Sequence, residues 1–186
     1  MASIGMRYVV AAPITTETSG GITYGTKQTL KAVEASLSWE LDDSKMYADD
    51  AVAETDGSIT GYTLDTTVDD LTDAQEAALC GYTKASSGDE YTIYDDPAPY
   101  SGIGYIRVLK KNGVRHYKAV FYPRIQLTRN SESDKTREGS TSWQGAQLHG
   151  VGLAQYLSET GKNKFRTHQT FDTIASAIAY LDGKFT

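Results

Sequence analysis

Three histidines, His116, His149 and His168, and a single cysteine, Cys80, are the residues of this 186-residue chain most suited to metal or nucleophilic chemistry. A metal centre needs convergent donors, and the histidines are dispersed through strand and loop patterns with no His-x-x-x-His or Asp-x-His pairing. His116 reads instead as one position of a hairpin face beside Arg115. Cys80 closes a short Ala-rich helix pattern, where a small thiol packs as core. Standing alone, it excludes an internal disulfide and a Cys-based zinc site, which fits a reducing compartment.

Paired acids suggest two further chemistries. Glycoside hydrolysis needs two carboxylates across a sugar, supplied by different elements, whereas Asp49-Asp50 and Asp95-Asp96 are adjacent in sequence. Calcium binding by an EF-hand loop needs Asp-x-Asp-x-Asp-Gly with a Glu at twelve, a spacing that Asp42, Asp43, Asp49, Asp50, Glu54 and Asp56 do not supply. The glycines of GGITYG and GIGYI precede no helix and so form no phosphate cradle, and Gly-x-Ser-x-Gly is absent. No enzyme signature survives in the residues, no metal motif or cofactor cradle is expected from them, and an irregular calcium site on the acids stays open.

Charge is unevenly distributed behind the net value of −6. From Glu40 to Asp96 sixteen acids stand against Lys45 and Lys84, a balance of −14; from Arg107 to Arg137 nine Lys or Arg stand against Glu132 and Asp134, a balance of +7. Opposite patches on one small domain allow copies to attract head to tail, while two merely solvated faces would look the same. No segment is long and apolar enough for a membrane span, and MASIGMRYVVAAP lacks the core of a signal peptide, so no membrane association is expected.

The elements that must carry these groups are mostly strands. LKAVEASLSWEL, residues 30–41, alternates with Val33, Ala35, Leu37, Trp39 and Leu41 on one face, and SITGYTLDTTV, residues 58–68, turns Tyr62, Leu64 and Val68 inward. Between them DDSKMYADDAVAETDGS, residues 42–58, reads as a long loop, although its apolar groups are of no use to a solvated one. Thr72 with Gln75 forms a capping box, Leu71 staples the entry and Gly81 stops a helix from Asp73 to Cys80. A short strand follows at Tyr91–Tyr94.

Lys111-Asn112-Gly113 joins strands 103–110 and 114–122 in a tight hairpin that Pro123 ends or places at an edge. Ile125–Thr128 continues the sheet, residues 129–140 form a polar loop, and a strand from Thr141 to about Leu153 is anchored by Trp143. A helix over 172–182, capped by Asp172, presents Ile174, Ala177, Ile178 and Leu181 on one face. These elements predict one mainly β domain over 1–186, a β-sandwich or rolled barrel of two packed sheets with a flanking α-helix.

Several motifs follow one another in a recognisable order: IGMRYVVAAP, KMYADDAVAE, the helix from Leu71 to Gly81, APYSGIGYIRVLKKNGVRHYKAVFYPRIQL, SESDKTREGSTSWQ and FDTIASAIAYL. This order resembles the major tail proteins of long-tailed phages, specifically the phi-thirteen-type group, with YADDAVAE and KKNGVRHYKAVFYPR the more specific parts. The resemblance covers most of the chain and stops at the tube domain, without the immunoglobulin-like extension that some relatives carry.

It implies a non-enzymatic virion protein, made in the host bacterial cytoplasm, whose hexameric rings stack into a tail tube that conducts DNA during ejection. Its partners would be further copies of itself and other tail proteins such as the tape measure and the tail terminator, with DNA passing through without specific binding. The long loop would then reach a neighbouring ring. The expected contact residues are Met46, Tyr47, Asp49, Asp50, Val52 and Glu54 on the acidic side and Arg107, Lys110, Lys111, Arg115 and Arg124 on the basic side. The alternative class is a monomeric carbohydrate- or ligand-binding β-sandwich that uses tyrosines as stacking platforms; single-stranded nucleic-acid binding by the basic hairpin is a third.

Overall fold

Asn112 and Gly113 adopt left-handed φ angles of 49° and 83° and turn the chain back on itself between Lys111 and Val114, which pair across the turn. This is the two-residue geometry that an Asn-Gly step favours. The computed structural model describes residues 2–18, 21–48, 51–55, 57–84, 87, 90–91, 97–129, 145–157 and 161–186, with the backbone alone at 46–48, 51–55, 84, 90–91 and 157. The strands are β1 (Ala2–Thr18), β2 (Gly21–Tyr24), β3 (Gln28–Leu30), β4 (Ala32–Leu41), β5 (Lys45–Ala48), β6 (Ala51–Thr55) and β7 (Ile59–Val68). Helix α1 (Asp73–Cys80) follows, then β8 (Thr83–Lys84), β9 (Glu90–Tyr91), β10 (Tyr100–Lys111), β11 (Val114–Thr128) and β12 (Ala146–Gly152). The chain finishes with β13 (Gln155–Leu157), β14 (Lys162–Lys164), β15 (Thr167–Phe171) and helix α2 (Ile174–Asp182).

Nine of these strands form one antiparallel sheet in the order β2-β1-β10-β11-β12-β7-β4, with β15 on β11 and β3 on β1. The sheet rolls over on itself. β3 bonds β1 at Val9–Ala11, and after Lys31 the same chain becomes β4 and bonds β7, which brings the far edge back to β1. The protein is thus mainly β, a rolled sandwich with a flanking helix.

Two clusters fill it. The inner one takes Val9 and Ala11 from β1, Ile103 and Tyr105 from β10, Val120, Tyr122 and Leu127 from β11, and Tyr62, Leu64 and Leu148 from the opposite layer. Leu79 and Cys80 of α1 join it. The outer one packs Ala177 and Leu181 of α2 on Val10, Ala12, Ile106, Ala119 and Phe121. Strands β1, β10 and β11 are therefore buried on both faces at their middles, which is why VVAA, GIGYI and AVFY read as continuous apolar runs.

Both helices start and stop on local chemistry. Thr72 donates its backbone N–H to the Gln75 side-chain oxygen at 3.0 Å, and Gly81 ends α1 at a φ of 79°. For α2 the cap is Thr173, whose hydroxyl accepts the Ser176 N–H at 3.3 Å, and not Asp172 as expected. Asp172 is drawn off to His116, 2.9 Å away.

Pro123 neither ends a strand nor lies at an edge; it sits inside β11 in the middle of the sheet. It is tolerated because Pro123 and Arg124 together oppose Gly102 in a bulge, where ladder bonds are interrupted anyway. On its other side β11 changes partner there, from β15 over Tyr117–Phe121 to β12 over Ile125–Thr128. Two tyrosines reach the carbonyls there, of which Arg124 O also accepts the Leu153 N–H at 3.2 Å. The Tyr24 hydroxyl donates to Pro123 O at 2.8 Å, and the Tyr62 hydroxyl to Arg124 O at 3.1 Å. Each ring crosses a glycine to get there: a Cβ at Gly102 would fall 2.5 Å from Tyr24, and one at Gly152 would fall inside the Tyr62 ring.

Other boundaries moved. Ala35, Leu37 and Trp39 face inward as expected, but Val33 and Leu41 are exposed, because bulges after Ala32 and after Glu40 shift the alternation at both ends of β4. Of the strand expected from Thr141, the described part runs from Ala146 to Gly152, and residues 141–144 with Trp143 lie outside the described residues, as do residues 130–140 of the polar loop and 92–94 of the strand expected after Tyr91.

The tyrosine–glycine pairing can be checked by mutation. Tyr62→Phe removes one hydrogen bond and is expected to cost about 1 kcal/mol. Gly152→Ala displaces the whole ring and is expected to cost about 3 kcal/mol. Urea unfolding followed by circular dichroism measures both; a Gly152→Ala cost no larger than that of Tyr62→Phe would rule out this packing.

Candidate assembly surfaces

Within residues 42–58, expected as a long loop between β4 and β7, Lys45–Ala48 and Ala51–Thr55 form strands. They extend that ladder: Leu41 faces Ile59, the Asp42 N–H donates to Ser58 O at 2.8 Å, and β5 then pairs with β6. Lys45 faces Thr55, Met46 faces Glu54, Tyr47 faces Val52 and Ala48 faces Ala51, with a bulge between Met46 and Tyr47. KMYA and AVAET are short strand-forming runs, and the acids between and around them obscure that in the sequence. Asp49 and Asp50, between the paired alanines, lie outside the described residues.

Asp42 organises the base of this ribbon by accepting the Ser44 hydroxyl at 2.5 Å and the Ser44 N–H at 2.9 Å, bonds that hold its carboxyl below the ordinary value. β5 and β6 make a sheet of their own, bonded to no other strand among the described residues. At its root Leu41 and Ile59, directly paired, are 59% and 42% exposed. A lone two-stranded ribbon is marginal in water and gains stability when something packs on it.

The second surface is basic. Arg107, Lys110 and Lys111 on β10 and Arg115 on β11 gather at the Asn112-Gly113 end of the sheet, with Lys110 directly opposite Arg115. Arg124 does not join them. It lies nine residues further along β11, about 30 Å at strand rise, where its Nε is 3.4 Å from Glu17 and its guanidinium 4.3 Å over the Tyr100 ring. The basic run is thus divided between distant parts of one strand.

Sequence reasoning missed residues that only the register brings together. Lys118 lies directly opposite Arg107, and β15 sets His168 against Val120 on the same side of the sheet. Arg166, two residues before His168, places its guanidinium 5.0 Å over the Trp39 ring. Burial, then Arg166 and Arg107, hold the Lys118 ammonium below its usual range; burial, then Lys118 and Arg166, do the same to His168.

The other two histidines have acid partners that no local motif announces. His149 Nδ1 lies 2.6 Å from Asp65, its opposite number across β12–β7, and His116 Nδ1 lies 2.9 Å from Asp172. Acids of the −14 segment are partly tied down in the same way, Asp69 by Lys31 at 3.1 Å and Glu76 by Arg129. Among the described residues no group of three His, Cys, Asp or Glu could hold a metal ion. Burial, then Glu76, pushes the Cys80 thiol up to about 11, which leaves it protonated at neutral pH.

A scan against protein-family models finds no match to this chain, and a search of curated proteins finds none.

The buried phenols give a pH prediction. Burial, ahead of any neighbouring charge, raises Tyr24, Tyr62 and Tyr122 far above the ordinary value of 10.0. Because the folded values lie above the unfolded one, this stabilisation is complete below pH 10.0 and is lost as pH climbs past it. Stability is expected to be flat with respect to these groups up to about pH 9 and to fall steeply above about pH 10, with tyrosinate absorbance appearing together with unfolding. Full phenol ionisation in a still folded protein would contradict this.

Proposed function

We propose that this chain is a structural subunit that self-assembles into stacked hexameric rings, forming the tail tube of a long-tailed phage. The observation that carries the reading is the β5–β6 ribbon, which extends the β4–β7 ladder beyond the sheet and, among the described residues, bonds there only to itself. A ribbon of this kind suits contact with another copy, and its base presents the exposed pair Leu41 and Ile59. The acidic ribbon and the basic end of β10–β11 are different patches of opposite sign, as a heterologous, head-to-tail contact requires. The motif order that resembles the phi-thirteen-type tail proteins supports the same reading.

On this reading the protein is not an enzyme and takes no cofactor. It works in the virion after synthesis in the host bacterial cytoplasm, beside partners such as the tape measure and the tail terminator. An acidic net balance suits a conduit that must not hold DNA phosphates. The tyrosine-platform alternative has little to stand on: among tyrosines with described side chains only Tyr156 is largely exposed, at 61%, while Tyr62, Tyr105 and Tyr122 are core.

Two outcomes follow. Concentrated protein at low salt is expected to form rings or tubes by negative-stain microscopy, less readily as salt screens exposed charges over about 10 Å at 0.1 M; a strictly monomeric sample would overturn the reading. Replacing residues 42–58 by a short Gly-Ser link is expected to leave the circular dichroism of the sheet intact and abolish stacking, since shortening a surface connection costs little. Normal tubes from that variant would remove the ribbon from the contact.

A further inference from the structure

The cations on the inner side of β10, β11 and β15 are arranged at a cost that the protomer does not recover by itself. Arg107 and Lys118 are directly opposed across an antiparallel pair, an arrangement that destabilises a sheet when both carry the same charge. Both are half-buried, as is Arg166. Among the described residues no carboxylate lies within ion-pair distance of Arg107, Lys118, Arg166 or His168, although the acids near Lys27, Lys31, Arg124 and Arg129 are all engaged. Glu34 borders the same open cleft of about 390 Å³ as Arg107 but does not pair with it.

Two further features show a surface shaped to receive something. Arg107 and Arg166 lie over aromatic rings, Tyr105 at 5.7 Å and Trp39 at 5.0 Å, and Arg107 also donates to the Tyr105 hydroxyl at 3.2 Å. The planar guanidiniums are thereby held in fixed positions, which suits recognition of planar anions such as carboxylates. Beside them the fully buried Tyr122 hydroxyl lies against Tyr105 and Arg166 and helps to hold both in place.

We propose that Arg107, Lys118, Arg166 and His168 form a receptor for the carboxylates of the 42–58 ribbon of a second copy of this chain. The choice of occupant rests on complementarity. Residues 42–56 carry six acids and a single lysine, their strands bond among the described residues only to each other, and the receptor lacks the charge they bring. The proposal builds on the assembly reading above and supplies the receiving half of the contact.

The test titrates a fluorescently labelled peptide of residues 42–58 with the full chain, held dilute, and reads anisotropy. Binding is expected, and it is expected to weaken about tenfold with Lys118→Gln or Arg166→Gln, and similarly when the acids of the peptide become Asn and Gln. Lys118→Gln carries its own control for folding: removing one of two opposed like charges is expected to raise Tm by about 2 °C while binding falls. Peptide binding indifferent to both substitutions, or to loss of its acids, would overturn the proposal. So would an oligothymidine that binds the same residues more tightly than the peptide. Tubes that form normally from Lys118→Gln protein would sink the receptor and leave the tube reading standing. Charge-dependent peptide binding by a chain that never forms rings would do the reverse.

Discussion

The structure turns on the break in β11 at Pro123 and Arg124. A strand that must serve two layers has to change partners, and at the change its regular ladder is interrupted. Tyr24 reaches one carbonyl across Gly102 and Tyr62 reaches the other across Gly152, so the break is sealed from two sides by rings anchored on distant strands. Bulged corners of this type let a sheet fold over itself. Tyr62 also starts a run of aromatic contacts through Tyr122, 5.0 Å away, and on to Tyr105, which ends beneath Arg107. The corner and the basic surface are thus two ends of one packed column.

That column explains how a rim of like charges keeps its shape. Arg107 rests on a ring that is itself fixed by packing, so it cannot swing away from Lys118 without losing aromatic contact. The ribbon is built differently, as two strands whose backbones pair with each other. One surface is rigid and cationic and the other is extended and acidic.

Much of this was legible in the sequence, for local reasons. The Asn112-Gly113 turn, the Thr72–Gln75 capping box and the Gly81 stop are short-range chemistry, and the structure shows each where the residues imply it. Period-two alternation also placed Tyr62, Leu64 and Val68 in the core. What could not be read depends on register. Asp65 and His149 are 84 positions apart and Asp172 and His116 are 56 apart, so no spacing rule links them. Lys118 became part of the basic surface only because the hairpin sets it against Arg107. Pro123 misled because a proline argues against a central strand unless a bulge removes the need for its N–H. The ribbon was hidden by composition, since acids are poor strand formers and masked the short runs KMYA and AVAET.

Tyr8 shows what such long-range pairing means for synthesis on the ribosome. It holds a left-handed φ of 53° inside a bulge of β1 and passes its hydroxyl to Asp182 at 2.6 Å, where Lys27 also binds at 2.8 Å. The first strand is therefore fastened to the last helix, and its middle pairs with β10, with Val10 against Gly104. At translation speeds of about 5–20 residues per second, β3 reaches one edge of the apolar VVAA segment early, but the other edge waits several seconds more for β10. The segment waits longer still for the helix that covers its outer face. The nascent chain thus carries a half-covered strand until β10 has been made, and the outer face of that strand is closed only once α2 has emerged.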